Sequence, residues 1–208
     1  MYDYHVHSSF SGDSYAPDRV QLMAASHFGL KELCFTNHLD IDFGYAFESG
    51  KDFELDIPLF LADFAELKHE FGDLVTLKAG VEAGLQMHIL DDLKGRLAGQ
   101  ELDYVLASLH VLKGFKLDLH KPESWKSYTK DYIFRQYVLQ FTECLRKFDD
   151  YNCLGHLTYF SRYCPYDDKM MRYADAAEEL DELFKLIIAK GKGLEVNTSV
   201  YRRLGFMV

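Results

Sequence analysis

His5 and His7, in the amino-terminal run Met1-Tyr-Asp3-Tyr-His5-Val-His7, carry the first chemical signal in the sequence. In an extended strand, side chains at i and i+2 leave the same face, so two imidazoles at this spacing point toward one place. Neutral imidazole is a common ligand of divalent metals, and a same-face pair can grip one ion. A single pair is equally well explained by packing. The signal recurs, however, at the ends of later apolar runs. Leu33-Cys-Phe-Thr-Asn37-His38 ends in a histidine, and Val75-Thr-Leu-Lys-Ala-Gly80-Val-Glu82 ends in a carboxylate. Tyr104-Val-Leu-Ala-Ser108-Leu-His110 and Tyr151-Asn-Cys-Leu-Gly155-His156 each end in a histidine again.

The elements that must position these groups follow from periodicity. Each apolar run is short and β-prone, and longer stretches of helical spacing separate them. Val20, Leu22, Met23, Phe28 and Leu30 mark one helix, with Pro17 in its first turn. Leu59, Phe60, Phe64, Leu67 and Phe71 mark a second. A third runs from about Trp125 to Phe148 through Tyr132, Ile133, Tyr137, Val138, Phe141 and Leu145. The last carries Leu180, Leu183, Phe184, Ile187 and Ile188 and stops at Gly191. Strands alternating with helices predict βα units and a parallel sheet, in which ligands gather at the carboxyl ends of the strands. Histidines used only for packing would be scattered over helices and loops. Here the ligand types stand at strand end after strand end, which predicts a metal site.

Composition sets limits on the rest. A chain of 208 residues, 48% hydrophobic, has material for one good core and too little for two comfortable domains. The formal net charge of −10 argues against a nucleic-acid binder, which needs a basic face. It leaves room for a phosphorylated small molecule if metal cations and a few arginines make a local positive pocket. There is no apolar run of about 18 residues and no basic-then-apolar leader, so the expected location is the cytoplasm, with no membrane contact. Cys34, Cys144, Cys153 and Cys164 lack metal-type spacing and are expected to be thiols, with Cys34 and Cys153 buried in strands. Gly44 to Asp56 reads as an inserted loop, either a lid or a plain connection.

Taken together, Asp3-x-His5-x-His7, Ser11-Gly-Asp13-Ser14, Phe35-Thr-Asn37-His38, Gly80-Val-Glu82, Ser108-Leu-His110, Gly155-His156 and Glu195-Val-Asn197-Thr-Ser199 resemble the PHP (polymerase and histidinol phosphatase) superfamily. The resemblance is greatest to its histidinol-phosphatase family, and it spans essentially the whole chain. It implies an α/β fold, a distorted (β/α)7 barrel, holding two or three divalent ions of zinc, manganese or iron. It implies that His5 and His7 bind a first metal, that Glu82 bridges to a second held by His110 and His156, and that Asp13 and His38 bind a third. The reaction implied is hydrolysis of L-histidinol phosphate by hydroxide that the metals generate. Glu82, His110, His156 and Arg162 would be its catalytic groups, and Arg162 and Arg202 its phosphate contacts. The family's closing strand, with an Asp and a His that complete the first and third sites, has no counterpart before Val208. The expectation is therefore a single domain over residues 1–208, incomplete at its carboxyl end and poor in the third metal. Other phosphoesterase activity, or a non-catalytic metal-binding remnant, are the alternatives.

Other residues have plainer readings. Asp13 could instead hydrogen-bond its own turn, and Asp3 is expected to orient a histidine. His27 and His69 read as helix-surface residues, His120 and Arg203 as exposed, and His88 as a loop residue with some reach to substrate. Ser108 either orients the site or packs as a small residue. Trp125, Tyr128 and Tyr132 read as a packing stripe on one long helix. Asp175, Glu178, Glu179, Asp181 and Glu182 read as a solvated helix face.

Overall fold

Each apolar run identified above forms a strand, and the computed structural model describes residues 1–43, 53–112 and 121–199. The strands are β1 (Tyr2–Val6), β2 (Glu32–Leu39), β3 (Thr76–Gly84), β4 (Tyr104–Ser108), β5 (Cys153–Leu154) and β6 (Gly193–Leu194). They hydrogen-bond in chain order, β1-β2-β3-β4-β5-β6, as successive βα units require. The helices are α1 (Asp18–His27), α2 (Ile57–Phe71), α3 (Leu90–Leu97), α4 (Lys130–Lys147) and α5 (Ala177–Ala189), and the fold class is α/β. The chain divides into two compact units. One comprises Met1–Gly84 and Asp91–Leu106; the other comprises Leu85–Leu90 and the chain from Ala107 onward.

In the amino-terminal unit, β1, β2 and β3 pair in parallel. Leu33, Cys34, Phe35 and Leu39 of β2 and Leu77, Ala79, Val81 and Ala83 of β3 are all buried, the near-continuous apolar run of a strand covered on both faces. The register places His38 opposite Glu82. Gly80 is required there: a Cβ would lie 2.8 Å from both Cys34 Sγ and the Tyr104 carbonyl oxygen. Pro17 caps α1 rather than sitting inside its first turn, and only Leu22 of the expected stripe is buried. Val20, Met23 and Phe28 face outward, because Asp18, Leu22 and Ala25 form the buried face. In α2 the Asp56 carboxylate accepts the Leu59 N–H at 3.0 Å, and Phe60, Phe64 and Leu67 are buried while Leu59 is exposed. Helix α3 was not anticipated. Its apolar positions Leu90, Leu93 and Leu97 are buried, but the turns between them are charged and paired, Asp91 with Lys94 and Asp92 with Arg96.

In the carboxy-terminal unit the long predicted helix is split. Pro122–Ser127 forms a 3-10 turn, Tyr128 and Thr129 are extended, and α4 begins where the Thr129 hydroxyl accepts the Tyr132 N–H at 3.2 Å. The Trp125, Tyr128, Tyr132 stripe thus lies on two elements: Trp125 is fully buried, whereas Tyr132 is exposed and stacks on Tyr128. Helix α4 buries Ile133, Phe134, Tyr137, Val138, Phe141 and Leu145, and α5 buries Leu180, Leu183 and Ile187 where the two helices pack. Gly191, at φ 64°, ends the last turn as expected. β5 and β6 are only two residues each and parallel. The acidic face of α5 is partly paired, with Glu182 2.9 Å from Arg146 and Asp181 accepting from the Tyr173 hydroxyl. All four cysteines are free and buried, and no helix among the described residues is long and apolar enough to cross a membrane.

Candidate metal centre

Strand alternation brings His5, at the end of β1, and His7, just beyond it, to the same side, with their Nε2 atoms 3.1 Å apart. The β2–β3 register carries His38 and Glu82 to the same place. Glu82 is fully buried, and its Oε2 lies 3.3 Å from His5 Nε2, 3.1 Å from His7 Nε2 and 3.3 Å from His38 Nδ1. Three of the expected ligands of this unit therefore converge on a carboxylate oxygen of a fourth. Asp13 reaches the group from the loop after β1, 2.9 Å from His7 Nδ1 and 3.5 Å from His38 Nε2. It also accepts the Ser11 hydroxyl at 2.9 Å, so it both organises its turn and faces the histidines. One ligand atom from each of His7, Asp13 and His38 lies within 4.8 Å of the others. His7 thus stands between two groups, one nitrogen toward His5 and Glu82 and the other toward Asp13.

The loop that presents Asp13 is tied down by its neighbours. The Ser8 N–H and hydroxyl both donate to Asn37 Oδ1, at 2.8 and 3.2 Å, and the His7 carbonyl accepts from Ser14 Oγ and Gln21 Nε2. Asp3 accepts the main-chain N–H of His5 at 3.2 Å and so fixes the strand at that histidine rather than its ring. Asp40 escaped sequence reasoning. It is buried two residues beyond His38, and its carboxylate takes His38 Nδ1 at 2.7 Å. Gly84 makes room for it, since a Cβ there would stand 1.9 Å from Asp40 Oδ1. The i+2 spacing from His38 was the available signal, the same one that revealed His5 and His7.

Charge in this group is strongly coupled. Burial pushes the Asp13 carboxyl up, but hydrogen bonds from His38 and His7 outweigh it and hold the group well below the usual carboxylate range. Burial likewise works against the His38 imidazolium, yet Glu82, Asp13 and Asp40 together raise its pKa well above the ordinary value. Imidazoles around buried carboxylates, with one imidazole nitrogen braced by a further carboxylate, are a donor set that a divalent ion can use. The far end of the Gly44–Asp56 segment returns beside this group: Asp40 N–H bonds the Phe53 carbonyl and Leu55 N–H bonds that of His38. Its residues 44–52, where a lid was considered, lie outside the described residues.

The carboxy-terminal unit pairs His110 and His156, both buried, with their Nε2 atoms 3.4 Å apart. The Tyr159 ring packs against both, at 4.9 and 5.0 Å between centroids. The Arg162 guanidinium lies over that ring at 5.4 Å and donates through Nη2 to Ser199 Oγ at 2.8 Å. Arg162 Nε is buried with no acceptor among the described residues. The His156 N–H is held by Glu195 Oε2 at 2.6 Å, a role not read from the sequence. Ser108 is fully buried, with its carbonyl accepting the Leu85 N–H. His88 is exposed beside a cavity of about 430 Å³ lined by Gln86, Met87, Leu109, Val111, Gln140, Glu143 and Cys144, a set that includes neither His110 nor His156. His27 and His69 are exposed in the last turns of α1 and α2, as expected. Arg202, Arg203 and His120 lie outside the described residues.

The family model for the PHP domain matches residues 3–199. The histidinol-phosphatase of Lactococcus lactis is 33% identical over 199 residues, covering 96% of this chain and 72% of its own length. The protein named "probable histidinol-phosphatase" in Clostridium acetobutylicum is 29% identical over 201 residues, 95% of this chain and 73% of its own. The crystal structure of histidinol phosphate phosphatase from Lactococcus lactis, complexed with zinc, L-histidinol and phosphate, superposes with a TM-score of 0.85 at 32% identity, over 97% of this chain and 74% of that one. A structure from Listeria monocytogenes, 16% identical, shares the fold with a TM-score of 0.75 over 100% of this chain and 86% of its own.

Proposed function

The chain belongs to the PHP domain family, among its histidinol-phosphatases, and on that premise we propose that it hydrolyses a phosphomonoester, L-histidinol phosphate, with the help of divalent metal ions. The observation that carries the reading is the convergence of His5, His7 and His38 on the buried Oε2 of Glu82 at 3.1–3.3 Å. His5, His7, Glu82, Asp13 and His38 would hold the ions in this unit. His110 and His156, paired within the carboxy-terminal unit, are assigned as further metal ligands, an assignment that rests on the family. Two or three ions of zinc, manganese or iron fit these donors. Bound ions supply Lewis-acid polarisation of phosphate oxygens and a low-pKa water.

The protein's own contribution is to place charge and exclude disorder. Glu82 sets one carboxylate oxygen 3.1–3.3 Å from a nitrogen of each of His5, His7 and His38. Asp40 fixes which nitrogen of His38 is turned toward Asp13. Arg162 is assigned as a phosphate contact, because its planar fork suits phosphate oxygens and its Nε donor has no acceptor among the described residues. Arg202 is assigned the same role from the family pattern alone. The fit to a small anionic substrate is consistent with an acidic chain, since the attraction is local to the ligands and arginine. A biosynthetic reaction of this kind belongs in the cytoplasm. The test is a substrate panel on metal-loaded protein: L-histidinol phosphate, unrelated phosphomonoesters and a phosphodiester. The reading expects the highest kcat/KM for L-histidinol phosphate. A preference for the diester would move the protein to a different activity within the family.

A further inference from the structure

A continuous run of hydrogen bonds leads from Arg162 to the main chain of His156. Arg162 Nη2 donates to Ser199 Oγ at 2.8 Å. The Ser199 hydroxyl donates to Asn197 Oδ1 at 2.5 Å, and the Ser199 N–H donates to the same oxygen at 3.0 Å. Asn197 Nδ2 donates to Glu195 Oε1 at 3.3 Å, and Glu195 Oε2 accepts the His156 N–H at 2.6 Å. Donors and acceptors are assigned without conflict. The single hydroxyl proton of Ser199 goes to Asn197, which leaves its lone pairs for the guanidinium. The dipoles therefore run one way, from the Arg162 cation to the Glu195 carboxylate, and each polarises the next.

A turn alone does not account for this arrangement. The Ser199 N–H to Asn197 Oδ1 bond already closes an Asx turn. The hydroxyl and the side-chain amide are additional, and they connect an arginine to a carboxylate. Arg162 is also held from its other side, over the Tyr159 ring that packs on His110 and His156. Both restraints on the guanidinium thus refer back to His156. An arginine side chain left free would lose rotamer entropy on binding an anion, and one already fixed would not.

We infer that Ser199 and Asn197 are positioning residues that aim Arg162 at the substrate phosphate, and that Glu195 ties this aim to the strand end carrying His156. The inference rests on the proposed contact between Arg162 and phosphate, and the experiment separates the two. Metal-loaded protein is titrated with inorganic phosphate by calorimetry, and KM and kcat are measured for L-histidinol phosphate. The variants are Ser199→Ala, Ser199→Thr, Arg162→Ala and the Ser199→Ala/Arg162→Ala double. Ser199→Ala is expected to weaken phosphate and raise KM by about three- to tenfold, with a smaller change in kcat and the same bound metal. Ser199→Thr keeps the hydroxyl and is expected to stay near the parent. In the Arg162→Ala background, loss of the Ser199 hydroxyl is expected to add nothing. If Arg162→Ala weakens phosphate but Ser199→Ala does not, or if the two losses add in full, the positioning role is refuted while the arginine contact stands. If Arg162→Ala itself leaves phosphate binding unchanged, the contact is wrong and the positioning role falls with it.

Discussion

Glu82 is the residue on which the amino-terminal ligand group depends, because its buried carboxylate faces three imidazoles at once. Glu82→Gln keeps the volume and removes the charge, and a neutral amide is a poor partner for cations. This substitution is expected to leave the circular dichroism spectrum unchanged, to lower bound metal, and to reduce phosphatase kcat by at least about a hundredfold. Full metal occupancy with ordinary turnover would contradict the role assigned to it. His38 makes a second prediction. Glu82, Asp13 and Asp40 raise its pKa against the opposing effect of burial, so the metal-free protein carries an imidazolium there above the ordinary range. The sign follows directly. In the metal-free form this interaction stabilises the fold fully below the unfolded-state pKa of about 6.5 and is lost as pH rises through the higher folded value. Metal needs the neutral ring, so binding must expel the proton, and affinity is expected to climb with pH from about 6 upward. A chelator-competition titration checks this; an affinity flat across that range would show that His38 is neither protonated beforehand nor a ligand.

At the scale of elements, β2 and β3 set the site through their pairing, and Gly84 is the sharpest point of that fit. Gly84→Ala would drive a methyl into the Asp40 carboxylate and displace it from His38. The expected result is a loss of about 1–3 kcal/mol of stability together with weaker metal binding. A melting temperature and metal affinity equal to the parent's would mean that Asp40 does not brace His38. The strands that end at or near His5, His38, Glu82 and His110 were legible because each is an apolar run ending in a candidate ligand. So was the stop at Gly191. Helix α3 was not, because its three leucines are diluted by paired charges and its length is only eight residues. The start of α4 was misplaced because the apolar residues before Thr129 pack well from a 3-10 turn, and periodicity does not reveal a cap. The outward stripe of α1 shows the same limit: spacing identifies a helix but not which face the neighbours will cover. Asp40 was missed although its i+2 spacing from His38 carried the signal, and Glu195 because a carboxylate that holds the N–H of a strand end has no pattern of its own beyond proximity in the fold.

For the whole molecule, thiols and metal chemistry are separate, and that separation can be measured. All four cysteines are buried, and burial pushes the Cys144 thiol up to about 12. Native protein is therefore expected to resist thiol-specific alkylation near neutral pH and to react at all four positions once unfolded. Rapid labelling of the native state, with loss of metal, would place a cysteine among the ligands. With a net charge of −10, the chain is expected to hold an anionic substrate where bound cations and the proposed arginines make a local positive pocket. The central claim is that bound divalent ions, held by these histidines and carboxylates, make the protein a phosphatase. The most direct measurement strips the protein with a chelator, adds zinc or manganese back in steps, and follows phosphate released from L-histidinol phosphate against metal bound. The account predicts no release from stripped protein, release that grows with occupancy, and at most about a hundredth of that release from Glu82→Gln at any metal concentration. Equal release from the stripped protein, or from the Glu82→Gln variant, would contradict it.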